Sequence, residues 1–289
     1  RAIEAAVDEK AAVLRQAVRP EGSHRFDADA ETFEQVPRSP FSYWVSDQLR
    51  SLFADSLSLE NDCRKARRGL GTNDDFRFLR LWFEISASSS SWASHAKGGQ
   101  FARFYSPPEL LVKWHGKGSE LKAFFIGNGE SPSRNIRSES DYFRPGLTWS
   151  LRTQADISFR LLPRNCIFGS KGPAAFVAED APHEILSLAA IANCSAFGFL
   201  VQMQIAFGSY EVGVIQRTPV PELDQAGELL LAKLAQRSWS LKRLLDTRTE
   251  NSHAFTLPAL LQVKADSLED RAEAWATQAS SCLLYTSDA

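Results

Sequence analysis

Cysteine is scarce, and the four present are not spaced for chemistry. Cys63, Cys166, Cys194 and Cys282 form no CxxC pair and no Cys/His ligand pattern. That argues against a zinc site or a disulfide framework and fits a reducing, cytoplasmic setting. Catalytic signatures are missing too. The histidines (His24, His95, His115, His183 and His253) are scattered, with no HExxH pair for a metal, and no GxSxG elbow marks a serine hydrolase. Gly69-Leu-Gly71 is the nearest approach to a nucleotide loop, but neither GxGxxG nor GxxxxGK[ST] is present. The chain also lacks a start methionine, a signal peptide and a basic leader, and Arg1 opens inside a helical pattern. A fragment of something longer is expected. Net charge is only −2, which argues against a protein that coats nucleic acid.

The distribution of charge says more than its sum. Residues 1–60 carry a net −4, residues 61–172 a net +8 and residues 173–289 a net −6. A basic field between acidic flanks is what a docking surface for phosphate needs. Its centre is DYFRPGLTWSLRTQADISFRLLPRNCIFGSKGP, from Asp141 to Pro173, where Arg144, Arg152, Arg160, Arg164 and Lys171 interleave with Tyr142, Phe143, Trp149, Phe159 and Phe168. Short alternating runs punctuated by Gly146, Pro163, Gly169, Gly172 and Pro173 predict short strands and tight turns. Strand alternation predicts Trp149 packed inward and Thr148, Ser150 and Arg152 pointing outward. Upstream, Lys97, Gln100 and Arg103 interleave with Phe101, Phe104 and Tyr105, and the loop Ile126–Ser140 carries Arg134, Asn135 and Arg137. Arginine and asparagine can pair two-pronged with guanine and adenine edges. DNA is therefore the first candidate ligand. The candidate contacts are Lys97, Gln100, Arg103, Arg134, Asn135, Arg144, Thr148, Ser150, Arg152, Arg160 and Lys171.

Helical spacing predicts helices over residues 1–18, 36–53, 224–243 and 267–278, with a polar loop at 21–38. Asp74 and Asp75 read as a helix start rather than a metal pair. SASSSSWASH (Ser86–His95) reads as an exposed loop, Leu110–Trp114 as a strand and His115–Gly118 as a turn. Between Glu184 and Glu211 lie 26 residues without a formal charge. Their length would permit a membrane span, but Asn193, Gln202 and Gln204 interrupt them and no basic or aromatic anchors bound them. A buried helix from Ile185 to about Ile205 is expected, and no membrane partner. Tyr210–Leu223 reads as a short strand or loop. The last eight residues, CLLYTSDA (282–289), resemble a translated sequencing adapter and are set aside from the fold.

Seven segments occur in one order: PRSPFSYWVSDQLRSLF, RKARRGLGTNDDFRFLRLWFE, KGGQFARFY, DYFRPGLTWS, FGSKGPAAF, YEVGVIQRTPVP and LKRLLDTRTENSHAFTLPALL. Over residues 36 to 262 this set resembles the C-terminal half of adenine-specific DNA methyltransferases of the BREX phage-defence type and related restriction–modification enzymes. The resemblance implies double-stranded DNA as ligand and N6-adenine methylation by the whole enzyme, with S-adenosylmethionine as its cofactor. It implies an upstream methyltransferase domain and other defence-system subunits as partners. The cofactor turn and the Asn/Asp-Pro-Pro-aromatic loop of that chemistry are absent from this chain, so no catalytic, cofactor or metal residue is assigned to it.

The expected fold is α+β: a mixed, mostly antiparallel target-recognition sheet with flanking helices and a helical C-terminal tail. Expected boundaries are 1–60 for the end of the upstream domain, 61–223 for target recognition, 224–281 for helical support and 282–289 for the adapter-like end. Two alternatives remain at this stage, a separate DNA-specificity subunit that recruits a partner enzyme and an unrelated soluble hydrolase.

Overall fold

The structure is a computed structural model that describes residues 10–18, 34, 36–37, 45–205 and 208–286. The chain divides into two units, 1–56 and 57–289. In the first, α1 (Lys10–Val18) falls within the helical pattern expected over 1–18, and α2 (Asp47–Asp55) overlaps the one expected over 36–53 and ends two residues beyond it. Asp47 starts α2, where a carboxylate suits the helix dipole, and ion-pairs with Arg50 one turn on. Residues 1–9, most of the expected loop at 21–38, and Pro40, Phe41 and Trp44 lie outside the described residues.

The second unit contains β1 (Arg64–Arg67), α3 (Asp75–Phe78), β2 (Leu79–Leu81), β3 (Trp92–Ala96), β4 (Leu110–Lys113), α4 (His115–Gly127) and α5 (Pro132–Asn135). It continues with β5 (Gly146–Trp149), β6 (Phe159–Leu162), β7 (Cys166–Phe168) and β8 (Ala174–Val177). Helices follow: α6 (Pro182–Ala192), α7 (Ser195–Gln202), α8 (Val212–Arg217), α9 (Gln225–Asp246), α10 (Ala259–Gln262) and α11 (Leu268–Thr286).

Among the described residues the strands form two four-stranded sheets, ordered β1-β8-β5-β6 and β2-β4-β3-β7. All pairs are antiparallel except β3 with β7. The fold is therefore α+β with mostly antiparallel sheets and a helical tail, as the sequence predicts, but with two sheets instead of one.

The first sheet is buried on both faces. Along β8, Ala175 and Val177 join Leu147, Trp149 and Phe159 in a core shared with α6, α7, α8 and α9. Ala174 and Phe176 join Leu162 in a second core with Phe78, Val112, Leu121, Phe125, Ile167 and Phe168. Strand alternation thus sends neighbouring residues of one strand into two different cores.

Four expectations are corrected. The serine-rich segment does not end as an exposed loop, because Trp92–Ala96 forms β3, with His95 buried. Pairing with β4 and with the distant β7 overrides its low complexity. The long uncharged run is buried but is not one helix, since α6 and α7 meet at a 65° bend. There Asn193 Nδ2 donates to the Phe159 and Ala189 carbonyls, its Oδ1 accepts from Phe159 N–H, and Cys194 caps α7. Among the described residues no single helix is long and apolar enough to cross a membrane. Tyr210–Leu223 contains the short helix α8. Finally, Thr148 and Ser150 do not point to solvent; both are buried. The period-2 argument assumed one wet face, and this sheet has none at β5.

Other local expectations hold. Asp74 caps α3 through Arg77 N–H, and Asp224 caps α9 through Gly227 N–H. Residues 115–118 make a turn at the start of α4, with Gly116, Lys117 and Gly118 all at left-handed φ of 55° to 72°.

Candidate nucleic-acid interface

The segments that carry the basic candidates are far apart in sequence and meet at one edge of the second unit. The turn Lys97–Gln100 folds against Lys171. Gly98 sits at φ +98°, and a Cβ there would come within 2.7 Å of the Lys171 carbonyl, so only glycine allows this approach. Gly169 N–H donates to the Ala96 carbonyl, and Leu151 N–H donates to the Lys171 carbonyl. These bonds bring Arg152 beside Lys171. On the other side, Ser170 N–H bonds to the Leu70 carbonyl and Gly71 N–H to the Asn135 carbonyl, which joins α5 to the same rim.

Along this rim Arg134, Arg152 and Lys171 are exposed, and among the described residues none is in an ion pair. Exposed cations without a carboxylate partner are the groups most available to phosphate. Arg137 belongs with them: it is exposed, and its Nε donates to the Arg134 carbonyl. Lys97 is partly buried and ion-paired with Asp75, which also accepts a hydrogen bond from Thr72. Burial opposes ionisation of Asp75, but those two donors outweigh it and hold the carboxyl below its usual range. Nothing in the spacing of Asp75 and Lys97, 22 residues apart, signals this restraint. Gln100 presents an exposed side chain beside them. Asn135 donates from Nδ2 to Glu130 at 2.6 Å and so arrives already engaged.

The remaining candidates are tied into the fold. Arg144 is a bracket: it bonds to Asp180 at 2.7 Å, to Asp141 at 3.2 Å and to the Val177 and Ala178 carbonyls, over the Phe176 ring. The Asp180 contact, with help from Asp141, raises its pKa against a smaller cost of burial. Thr148 Oγ1 donates to the Pro173 carbonyl and Ser150 Oγ to the Gly99 carbonyl. Arg160 is buried beneath the Lys97–Gln100 turn. Arg103 is half-buried over the Phe101 ring, and burial lowers its pKa. Of the eleven residues, the structure gathers Lys97, Gln100, Arg134, Asn135, Arg152 and Lys171 along one rim. Thr148, Ser150 and Arg160 lie beneath it.

The Gly69–Gly71 turn is not shaped as a cofactor cradle. A Cβ on Gly69 would lie 2.0 Å from the Phe168 carbonyl, so this glycine permits a close backbone contact inside the protein.

No family model matches the chain. It is similar to an adenine-specific methyltransferase BrxX of Escherichia coli O9:H4 (strain HS), at 24% identity over 243 residues, which cover 81% of this chain and 19% of that protein. It is also similar to an adenine-specific methyltransferase PglX of Lacticaseibacillus casei (strain Zhang), at 25% identity over 290 aligned positions, 90% of this chain and 24% of that protein. The chain thus spans about a fifth to a quarter of the length of these relatives, and its homologues are adenine-specific methyltransferases.

Proposed function

We propose that this chain is the DNA-recognition part of a site-specific N6-adenine DNA methyltransferase from a phage-defence or restriction–modification system. The observation that carries the reading is the rim on which exposed, unpaired Arg134, Arg152 and Lys171 meet from three separate segments. The low-identity similarity to two adenine-specific methyltransferases supports it. Duplex DNA is the ligand, held at its phosphates by these cations and read by a neighbour such as Gln100. Residues 61–223 carry recognition, and 224–281 brace the sheets from behind. Residues 1–60 belong to the end of the methyltransferase domain.

S-adenosylmethionine is the cofactor of the whole enzyme. The one glycine turn that resembles a nucleotide loop is filled by the Phe168 backbone, so no residue of this chain is assigned to the cofactor and no chemical step is placed here. The test uses this purified chain, labelled S-adenosylmethionine and adenine-containing duplex DNA. The expected result is salt-sensitive DNA binding without methyl transfer. Methyl transfer above background would place the catalytic site within these residues and overturn the reading.

A further inference from the structure

Arg160 is a buried cation for which the fold supplies no anion. Its residue is 3% exposed, on β6 directly opposite Thr148 of β5. One terminal nitrogen donates to the Gln100 carbonyl at 3.0 Å and the other to Ser150 Oγ at 2.9 Å. Both acceptors are neutral. Among the described residues no carboxylate pairs with Arg160. Burial disfavours its charged form and lowers its pKa. An isolated buried charge is costly, and proteins that keep one normally pair it. Arg144 shows the usual solution, with two carboxylates on one guanidinium.

What lies beside Arg160 is space. A cavity of about 610 Å3 is lined by Arg160, Thr148, Lys97, Gly98, Gly99 and Gln100, together with Ser106–Glu109 and Leu161–Pro163. Gly99 has no side chain to close it, since a Cβ there would stand 3.4 Å from Arg160 Nη1. Lys97, ion-paired with Asp75, is a second cation in the lining, and the exposed acid Glu109 lines the cavity as well.

We propose that this cavity is an anion site that takes one phosphate group, bound by the guanidinium of Arg160 with Lys97 as its second cation. A planar guanidinium matches phosphate oxygens two-pronged, and the contact supplies the counter-charge that the fold withholds. The phosphate comes either from the backbone of a DNA strand pressed over the Lys97–Gln100 turn or from a free phosphorylated small molecule. The first source rests on the function proposed above; the second does not.

The test is calorimetric titration of the whole chain with inorganic phosphate at fixed ionic strength, with a parallel melting series. Wild type should bind phosphate and melt at a higher temperature as phosphate is added. Arg160→Met should weaken binding by roughly tenfold to a hundredfold and abolish the melting shift. Lys97→Met, at a partly exposed position, should weaken binding as well and gives the answer if the Arg160 variant does not fold. Duplex DNA titrated onto the same proteins separates the sources. A loss of DNA affinity in step with phosphate affinity assigns the backbone phosphate, whereas unchanged DNA affinity assigns a free ligand. No phosphate binding by wild type, or equal binding by wild type and both variants, would overturn the site, whatever the DNA result.

Discussion

Lowering the pH from 7 to 5 should destabilise this protein through His95. The ring is buried on β3, with Nδ1 3.1 Å from the Ile167 carbonyl, to which it donates across the parallel β3–β7 pair. Burial pushes its pKa from 6.5 down to about 4; nearby Lys97 adds to the shift, and the Ile167 carbonyl opposes it. In the unfolded chain the ring takes up a proton as pH falls through 6.5, whereas in the folded chain it stays neutral until about 4. Between those values the unfolded state binds more protons, so stability rises with pH. The full contribution is present above pH 6.5. About 3 kcal/mol is lost by pH 4, of which roughly 2 kcal/mol is already gone at pH 5. Urea unfolding of wild type and His95→Gln at pH 7 and pH 5 measures this. The substitution itself costs stability, but the gap between the two proteins should narrow by about 2 kcal/mol on acidification. Curves that fall in parallel would refute the neutral, buried histidine.

Two further substitutions separate structural residues from binding ones. Arg144→Ala should cost about 2 kcal/mol in urea unfolding, because Asp141 and Asp180 lose a shared partner, and should leave DNA affinity unchanged. Asn193→Ala should cost about 2 kcal/mol by the same measurement, since it strands the buried N–H of Phe159 at the α6–α7 bend, while the Phe159 carbonyl keeps the N–H of Phe104.

What the sequence made legible was mostly local. Asp224 with Gly227, and Ser267 with Asp270, are helix starts readable from a few consecutive residues, and α9 and α11 begin there. Trp149 is fully buried as its alternation required, with its indole N–H donating to the Tyr210 carbonyl. The failures were non-local. β3 exists because β4 and β7 flank it, and Asn193 breaks the apolar run because Phe159 presents both backbone groups to it. Thr148, Ser150 and Arg160 looked like surface residues because nothing in their own strands reveals that residues 97–100 close over them. The basic middle was visible as a charge total, yet its division into free cations on the rim, bracketed Arg144 and buried Arg160 depends on contacts dozens of residues apart.

The central claim, that the rim grips DNA, is tested most directly by titrating duplex DNA at several salt concentrations onto wild type and the Arg134→Ala/Arg152→Ala/Lys171→Ala triple variant. Each phosphate contact removed should lessen the dependence of log affinity on log salt by about 0.9, so the triple variant should flatten the slope by about 2.7 and weaken binding to every sequence. An unchanged slope and affinity would contradict the account and move the DNA to another face.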